Sequence, residues 1–441
     1  MLELEVTKFV SQFKETKKFP IKIVAKNNVN GILSSIILIK AFQKEKYNFS
    51  LSLEDEIKDQ SLLELNYDSS KSIIFLGSGS EKISQIKSLI KDKIIFIIDN
   101  SDKVDRNFNI NILNPCLENN FISLSGLSYL FAKELNKTNF GMGYLGFIGS
   151  LIEPSSFDTF LLESALKSNK LIVAKSLEGF YGRTLDLKDV LMNSYFPFFP
   201  ELSGSGNEVS RFLKNNKLEN KKFMDLSDEE LKRLYSAVLI TMLGKITKRE
   251  IFGSVYLLKE EKDDSIIKDV HGLIEVIDSC CKMNKGSFVI SSFLGDKTFK
   301  REILFYFDSF KEEMIKFLKW INNKRKDEKN NLIILNLESN FKEYIIEKGL
   351  EIVRKSLIFE KGIFLSVINY TMDGDANIRI LLSTIENEQD KLFENLAKDL
   401  GLKDYIINEG LYFTISQSYE EEFMKKLVLK LENKKIEEIV K

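Results

Sequence analysis

Up to about Lys170, short apolar runs alternate with longer segments whose apolar residues return every three or four positions. Ile21, Ile23 and Val24 make the first run, and Gly31-Ile32-Leu33 opens a helical stretch reaching Ala41-Phe42. Ser72–Leu76 (SIIFL) predicts a strand closed by Gly77-Ser78-Gly79-Ser80. Glu81–Asp92 follows, with Ile83, Ile86, Leu89 and Ile90 at helical spacing. Lys93–Ile98 (KIIFII) has no polar face, as expected of a strand covered on both sides in a parallel sheet. Ile110–Leu113 predicts a further strand, and Ser123–Leu135 and Tyr144–Ile152 predict helices. Strand, helix, strand, helix predicts an α/β domain with a doubly wound, mostly parallel sheet.

The pattern changes at Phe196–Gly206 (FPFFPELSGSG), where proline and glycine cluster. Asp225–Met283 is dominated by helical periodicity, with Ser227 and Glu230 placed as a capping box for Leu231–Leu243. Beyond about Ser287 the periods mix. Phe288–Phe293, Asn331–Leu337, Gly362–Asn369 and Ile378–Leu382 predict strands; Phe310–Asn323, Phe341–Ile346, Glu388–Leu400 and Tyr419–Leu431 predict helices. The expected division is a first α/β domain over 1–200, a helical linker over 201–285 and a smaller α/β domain over 286–441.

With 441 residues the chain exceeds one ordinary domain, and its 44% hydrophobic and 29% charged residues suit a globular protein. No run of 18 uncharged apolar residues occurs, and MLELEVTKF does not read as a signal peptide, so no membrane is expected. Cys116, Cys280 and Cys281 cannot build a disulfide framework and fit a reducing cytoplasm. A net charge of −1 gives no global positive field to attract nucleic acid. The lysine-rich segments Lys214–Lys222 and Lys319–Lys329 are interleaved with acids or asparagines and read as solvated faces.

Four loops, taken in order, resemble the DHH phosphoesterase superfamily. Lys26–Ile32 stands where that family has His-x-Asp-x-Asp-Gly-Ile, and Phe75–Ser80 resembles its strand ending in Asp-x-Gly-Ser. Ile97-Ile98-Asp99-Asn100-Ser101 occupies the place of Ile-Ile-Asp-His-His. Asn114-Pro115 and Ser125-Gly126 follow, and Gly146-Phe147-Ile148-Gly149-Ser150 resembles Gly-x-Ile-Gly-Asp. Pro197–Pro200 with Ser203-Gly204 and Phe212-Leu213, then Asp269 through Asp278–Met283, resemble the linker of archaeal RecJ-like proteins. The resemblance covers most of the chain and implies a DHH domain, a helical linker and a DHHA1-like C-terminal domain.

Chemistry separates this chain from active members. The family holds divalent cations, usually manganese, and such hard cations need ionised oxygen ligands. Matched residue by residue, the first-loop histidine falls on Lys26 and its aspartates on Asn28 and Asn30. The second-loop aspartate falls on Phe75, or on Gly77 in the alternative register. Of Asp-His-His only Asp99 remains, with Asn100 and Ser101 in place of the imidazoles, and the fourth-loop aspartate falls on Ser150. A two-metal mechanism has no ligand set left. Neither Mn2+ nor Mg2+ is therefore expected as a cofactor, and Lys26 is expected to fill part of the space and donate to Asp99. The DHHA1 glycine run and Ser-x-Arg strand, which in the family grip the nucleic-acid backbone, are missing from Leu400–Gln417 and Ile378–Ser383.

Other residues have plainer readings. Asp99 is expected to order its loop, Gly77–Ser80 to make a turn rather than a phosphate cradle, and Cys280-Cys281 to lie in the core. His271, the single histidine, lacks a catalytic partner and is placed on a helix surface. The resemblance implies an inactive RecJ-like subunit that assembles with an active RecJ-like paralogue in archaeal DNA repair or RNA processing. One alternative is a replication scaffold, comparable to the inactive DHH-derived subunit of the eukaryotic replicative helicase, which binds the GINS complex. Another is a metal-dependent exonuclease with unconventional ligands. Binding to single-stranded nucleic acid is expected to be weak or indirect, and the docking face is expected among apolar side chains between Asn331 and Lys441.

Overall fold

The computed structural model describes residues 2–16, 20–105, 110–118, 120–154, 156–241, 252–327, 332–336, 341–355, 363–372, 375–383, 406–408 and 412–419, with a few further residues between 395 and 429. They form two compact units, each discontinuous in sequence. The first comprises Met1–Val190, Asn220–Ser227 and Glu250–Ser309; the second comprises Leu191–Glu219, Asp228–Arg249 and Phe310–Lys441. The stretch 201–285, expected as a helical linker, is shared between them.

The first unit opens with helix α1 (Leu2–Lys14), followed by β1 (Ile21–Lys26), α2 (Val29–Glu45), β2 (Phe49–Glu54), α3 (Asp59–Tyr67) and β3 (Ser72–Leu76). Then come α4 (Ile83–Leu89), β4 (Ile94–Ile98), β5 (Asn111–Leu113), α5 (Leu124–Leu135), α6 (Gly143–Ser150) and α7 (Asp158–Lys167). The five strands are all parallel, in the order β2-β1-β3-β4-β5. The chain runs outward from β1 to β2, steps back across β1 to β3, and continues to β4 and β5. The direction of winding thus reverses between β1 and β3, and the crevice of such a sheet opens at the carboxyl ends of those two strands.

Alternation along the strands divides the core in two. Phe75, Ile73, Ile95 and Ile97 pack with Leu62 and Leu65 of α3 and Ile83 and Ile86 of α4. Phe96 faces the other way, into an aromatic cluster with Phe9 and Phe13 of α1, Phe42 of α2 and Phe131 of α5. The Phe13 ring centroid lies 5.3 Å from Phe42, 5.3 Å from Phe96 and 5.2 Å from Phe131. Each such ring taken from water contributes about 1.5–3 kcal/mol, so both faces are strongly held. A strand buried on both sides reads as continuous apolar sequence, which accounts for SIIFL and KIIFII.

After α7 the unit continues with β6 (Leu171–Leu177), an antiparallel partner of β7 (Phe252–Leu258), and α8 (Leu187–Met192) lies between them in sequence. Helices α9 (Gly206–Asn215) and α10 (Asp228–Thr241) belong to the second unit. The chain then adds α11 (Val270–Lys282), α12 (Gly286–Phe293) and the long α13 (Lys297–Asp327), whose first residues belong to the first unit. Two expectations are corrected here. Phe288–Phe293 is helical, not a strand: α12 seats on α2 through Gly286, where a Cβ would come within 2.8 Å of Ile32 Cδ1, and it buries Val289 and Ile290. Asp225–Met283 is not wholly helical either, because β7 pairs along its full length with β6.

The second unit carries β8 (Leu332–Asn336), α14 (Glu343–Lys355), β9 (Ile363–Met372), β10 (Asp375–Ser383), β11 (Ile406–Asn408) and β12 (Tyr412–Ser416). Its sheet is mixed, in the order β11-β12-β10-β9-β8, with only β8 and β9 parallel. The Phe198-Phe199 pair, expected at a boundary, is fully buried in this unit, and the Ser203 hydroxyl holds it by donating to Ser194 O and accepting from Phe199 N. Gly349 lets α14 approach α13 closely, since a Cβ there would meet the Phe317 ring at 2.2 Å. The expected helix Glu388–Leu400, most of Tyr419–Leu431 and the apolar docking face between Asn331 and Lys441 lie outside the described residues, apart from Phe341–Val353 and a few others.

One buried ion pair ties β6 and β7 to α11. Arg183, fully buried, sends Nη1 to Asp269 Oδ1 and Oδ2 at 2.9 and 2.8 Å and Nε to Leu177 O at 3.0 Å. Asp269 also accepts the Arg183 amide at 2.9 Å and, as N-cap of α11, the His271 amide at 3.1 Å. Removing one partner strands a buried charge. Asp269→Ala should therefore cost about 3–5 kcal/mol, read as a lower urea midpoint; an unmoved midpoint would show that the pair contributes nothing net.

A second ionisable contact sits at the end of α1. Burial, then the neighbouring Glu118 carboxyl, pushes Glu5 up to about 7 from 4.5. A carboxyl raised in the folded state contributes stability that is present below its unfolded value and lost as pH rises through the folded one. The thermal midpoint should fall between pH 4.5 and 7 more steeply in the natural protein than in Glu5→Gln. Equal slopes would rule out a shared proton.

Candidate functional site

The loops that match the metal-binding motifs all lie at the carboxyl end of the parallel sheet, around the β1/β3 reversal. Asn28 is the N-cap of α2: its backbone is extended, and its Oδ1 accepts the Gly31 amide at 2.8 Å. Gly31 is required next to it, because a Cβ there would lie 1.9 Å from the Lys26 carbonyl oxygen. Asn27 is also engaged, its Nδ2 donating to Asp55 Oδ1 at 3.0 Å and to Cys281 O at 3.1 Å. Asn30, buried in the first turn of α2, donates to Gly149 O at 3.3 Å across to α6. Its Oδ1 accepts no hydrogen bond from the described residues. Gly149 makes that approach possible, since a Cβ would sit 2.1 Å from Asn30 Oδ1 and 1.9 Å from Ser125 Oγ.

The second loop offers no ligand in either register. Phe75 points into the core beneath α3 and α4. Gly77 has a positive φ of 76°, and a Cβ there would meet Leu124 Cδ2 at 2.4 Å, so an apolar side chain fills the space beside it. Ser80 begins a single 3-10 turn, and its amide, which a bound phosphate would use, donates to Asp99 Oδ2 at 3.2 Å. The Ser150 hydroxyl donates back to Phe147 O of its own helix at 2.9 Å.

Asp99 is almost wholly buried at the end of β4. Besides Ser80, the Asn100 amide donates to its Oδ1 at 2.9 Å. The expected hydrogen bond from Lys26 is absent among those described. Amides fixed by the loop meet the carboxylate without immobilising a long flexible side chain, which would cost rotamer entropy. Asn100 reaches Glu153 Oε2 at 2.8 Å and Ile122 O at 3.3 Å. Ser101 accepts the Lys103 amide at 3.2 Å, and its carbonyl accepts Asn114 Nδ2 at 2.9 Å. Glu153 is the residue that motif matching misses: three positions past the fourth loop, it also accepts the Leu124 amide at 3.4 Å, at the positive end of α5.

The donor set does not fit a divalent cation. The first loop presents amides, the second an apolar contact, the fourth a hydroxyl turned into its helix, and both oxygens of Asp99 are engaged with amides. Among the described residues no three His, Cys, Asp or Glu side chains group as a metal site would require. The thiols fit no such role either: Cys280 and Cys281 are buried, and burial pushes Cys280 up to about 12. His271 is half-exposed beside Asp269, held below its ordinary value by burial and then by Arg183.

Asp99 thus works as a loop organiser. Asp99→Ala should leave the Ser80 and Asn100 amides without an acceptor, at a cost of about 1–3 kcal/mol. Amide hydrogen exchange at those two residues should quicken while α2 keeps its protection. Unchanged exchange there would mean that the carboxylate does not hold the loop.

No family model and no curated protein matches the chain. Solved structures do. CDC45 from Entamoeba histolytica aligns with a TM-score of 0.66 at 12% identity, covering 96% of this chain and 98% of that one. Exonuclease RecJ bound to manganese aligns with a TM-score of 0.58 at 9% identity, covering 96% and 93%. RecJ of Thermus thermophilus in complex with Mn2+ aligns with a TM-score of 0.56 at 10% identity, covering 96% of this chain and 54% of that one. At such identities the likeness is one of fold, and it extends over nearly the whole chain: this protein has the fold that CDC45 and RecJ share.

Proposed function

We propose that the chain is a catalytically inactive RecJ-like subunit that assembles with an active RecJ-like exonuclease and scaffolds or stabilises it, in archaeal DNA repair or RNA processing. One observation carries this reading: the positions where the motifs would supply ligands are committed to structure. Asn28 caps α2, Asn30 holds α6, Leu124 packs beside Gly77, and Ser150 bonds within its own helix. A fold kept at this length without its catalytic donors is retained for what it binds. Affinity for single strands is weak or indirect in this reading, because a near-neutral chain gains little from counterion release.

The second reading is a replication scaffold that binds GINS. The higher TM-score with CDC45 than with RecJ, over 98% of the CDC45 chain, favours it. Both readings require a protein partner, and purification from native cells separates them. A co-purifying RecJ-like exonuclease supports the first and co-purifying GINS the second; a protein that stays monomeric with both overturns the assembly reading. With manganese or magnesium, the purified protein should not degrade single-stranded DNA, RNA or dinucleotides. Turnover that Asp99→Ala abolishes would instead establish an enzyme with unconventional ligands.

A further inference from the structure

A partly open cavity of about 200 Å³ lies in the first unit away from the crevice, where the open ends of β6 and β7 meet α2, α6, α12 and α13. Lys40, on its wall, is ten residues along α2 from Asn30, or about 15 Å at the helical rise. Three lysines and two glutamates line it. Lys170 pairs with Glu260, and Lys300 reaches both oxygens of Glu261, at 2.9 and 2.7 Å. The third, Lys40, is half-buried and makes no ion pair or hydrogen bond with any described residue. Tyr144 and Ser292 bring two hydroxyls to the same cavity, likewise without described partners. The remaining wall is apolar, with Leu258 and Phe293 among its residues.

We propose that this cavity is a binding site for a small organic carboxylate, whose charge meets Lys40 and whose apolar body lies against Leu258 and Phe293. The wall carries one net positive charge, three lysines against two glutamates. Glu260 acts on Lys40 but is paired with Lys170, so the half-buried Lys40 ammonium is only partly balanced, and an added anion offsets the remaining cost. Burial first, and Lys170 second, hold the Lys40 ammonium below its ordinary value, against the opposing attraction of the Glu260 carboxylate. Tyr144, pushed up to about 12 by burial and the two glutamates, keeps its proton and remains a donor. A single negative charge is preferred. A phosphomonoester would bring a second one against Glu260 and Glu261, which already occupy Lys170 and Lys300. At about 30 Å³ per water, the space equals roughly seven waters, enough for an aryl or branched-chain acid but not for a nucleotide.

The site is independent of the assembly reading and survives its failure. Calorimetric titration of the full chain with phenylacetate tests it, beside the neutral isostere 2-phenylethanol and inorganic phosphate. Saturable binding of phenylacetate is expected, weakened at least about tenfold (~1.4 kcal/mol) by Lys40→Gln and absent for the alcohol. If Lys40→Gln does not fold, Tyr144→Phe and Ser292→Ala should each weaken binding. Equal affinity for the alcohol, undiminished binding in the variants, preference for phosphate, or no saturable binding of phenylacetate would each overturn the proposal.

Discussion

The first unit is built around the contact between the opening turn of α2 and the carbonyl end of β1. At Gly31 the helix passes so close to Lys26 O that no side chain fits, and Asn28 closes the turn with its cap. Thirteen of the seventeen residues of α2 are buried, as expected of a helix covered on nearly every side. The sheet lies under it, α5 and α6 flank it through Asn30 and Gly149, and α12 seats on it at Gly286. A displacement of that turn would move every loop at the crevice.

The scarcity of carboxylates at the crevice has a simple electrostatic reading. Carboxylates gathered around cations are stable only while the cations balance them; without metal they repel, and burial penalises each one. An asparagine has the length of an aspartate, keeps one acceptor oxygen and exchanges the other for a donor without carrying charge, so Asn28 can cap through its oxygen and Asn30 can bridge through its nitrogen. Asp99 differs because two backbone amides meet its oxygens, which stabilises the charged form without an ion. Asp99 is thus a carboxylate whose charge the protein itself satisfies.

Much of this was legible in the sequence, for physical reasons that differ between elements. Ser72–Leu76 and Lys93–Ile98 announce themselves because strands covered on both faces must be apolar throughout, and the structure places β3 at Ser72–Leu76 and β4 at Ile94–Ile98. Phe288–Phe293 misleads for the same reason, since a short apolar run fits a buried strand and a buried helix equally well, and packing on α2 decides. Asp225–Met283 conceals β7 because the partner strand, β6, lies some eighty residues earlier, beyond any local pattern. At the site, motif order located the loops, but their use was not readable. Whether Gly77 faces a ligand or Leu124 depends on α5, and whether Asp99 takes Lys26 or two amides depends on loop backbone geometry. Glu153 carries no motif and enters only through its partners.

Buried charge in this unit follows one rule, and its exception is informative. Asp99 is met by amides, and Asp269 by amides together with Arg183; the more exposed Lys170 and Lys300 have glutamates as well. Desolvated charges persist only where fixed dipoles or opposite charges replace the lost water, because the interior supplies little screening of its own. Lys40 has burial with only partial replacement, from a Glu260 carboxylate that also pairs with Lys170, in a cavity large enough to admit a further counterion from outside. At the crevice most polar side chains meet loop amides and carbonyls, while Asn27 Oδ1 and Asn30 Oδ1 are buried without a described donor. The two ends of α2 thus differ in kind: at one the polar groups turn mostly to their own loops, and at the other a half-buried cation is only partly balanced.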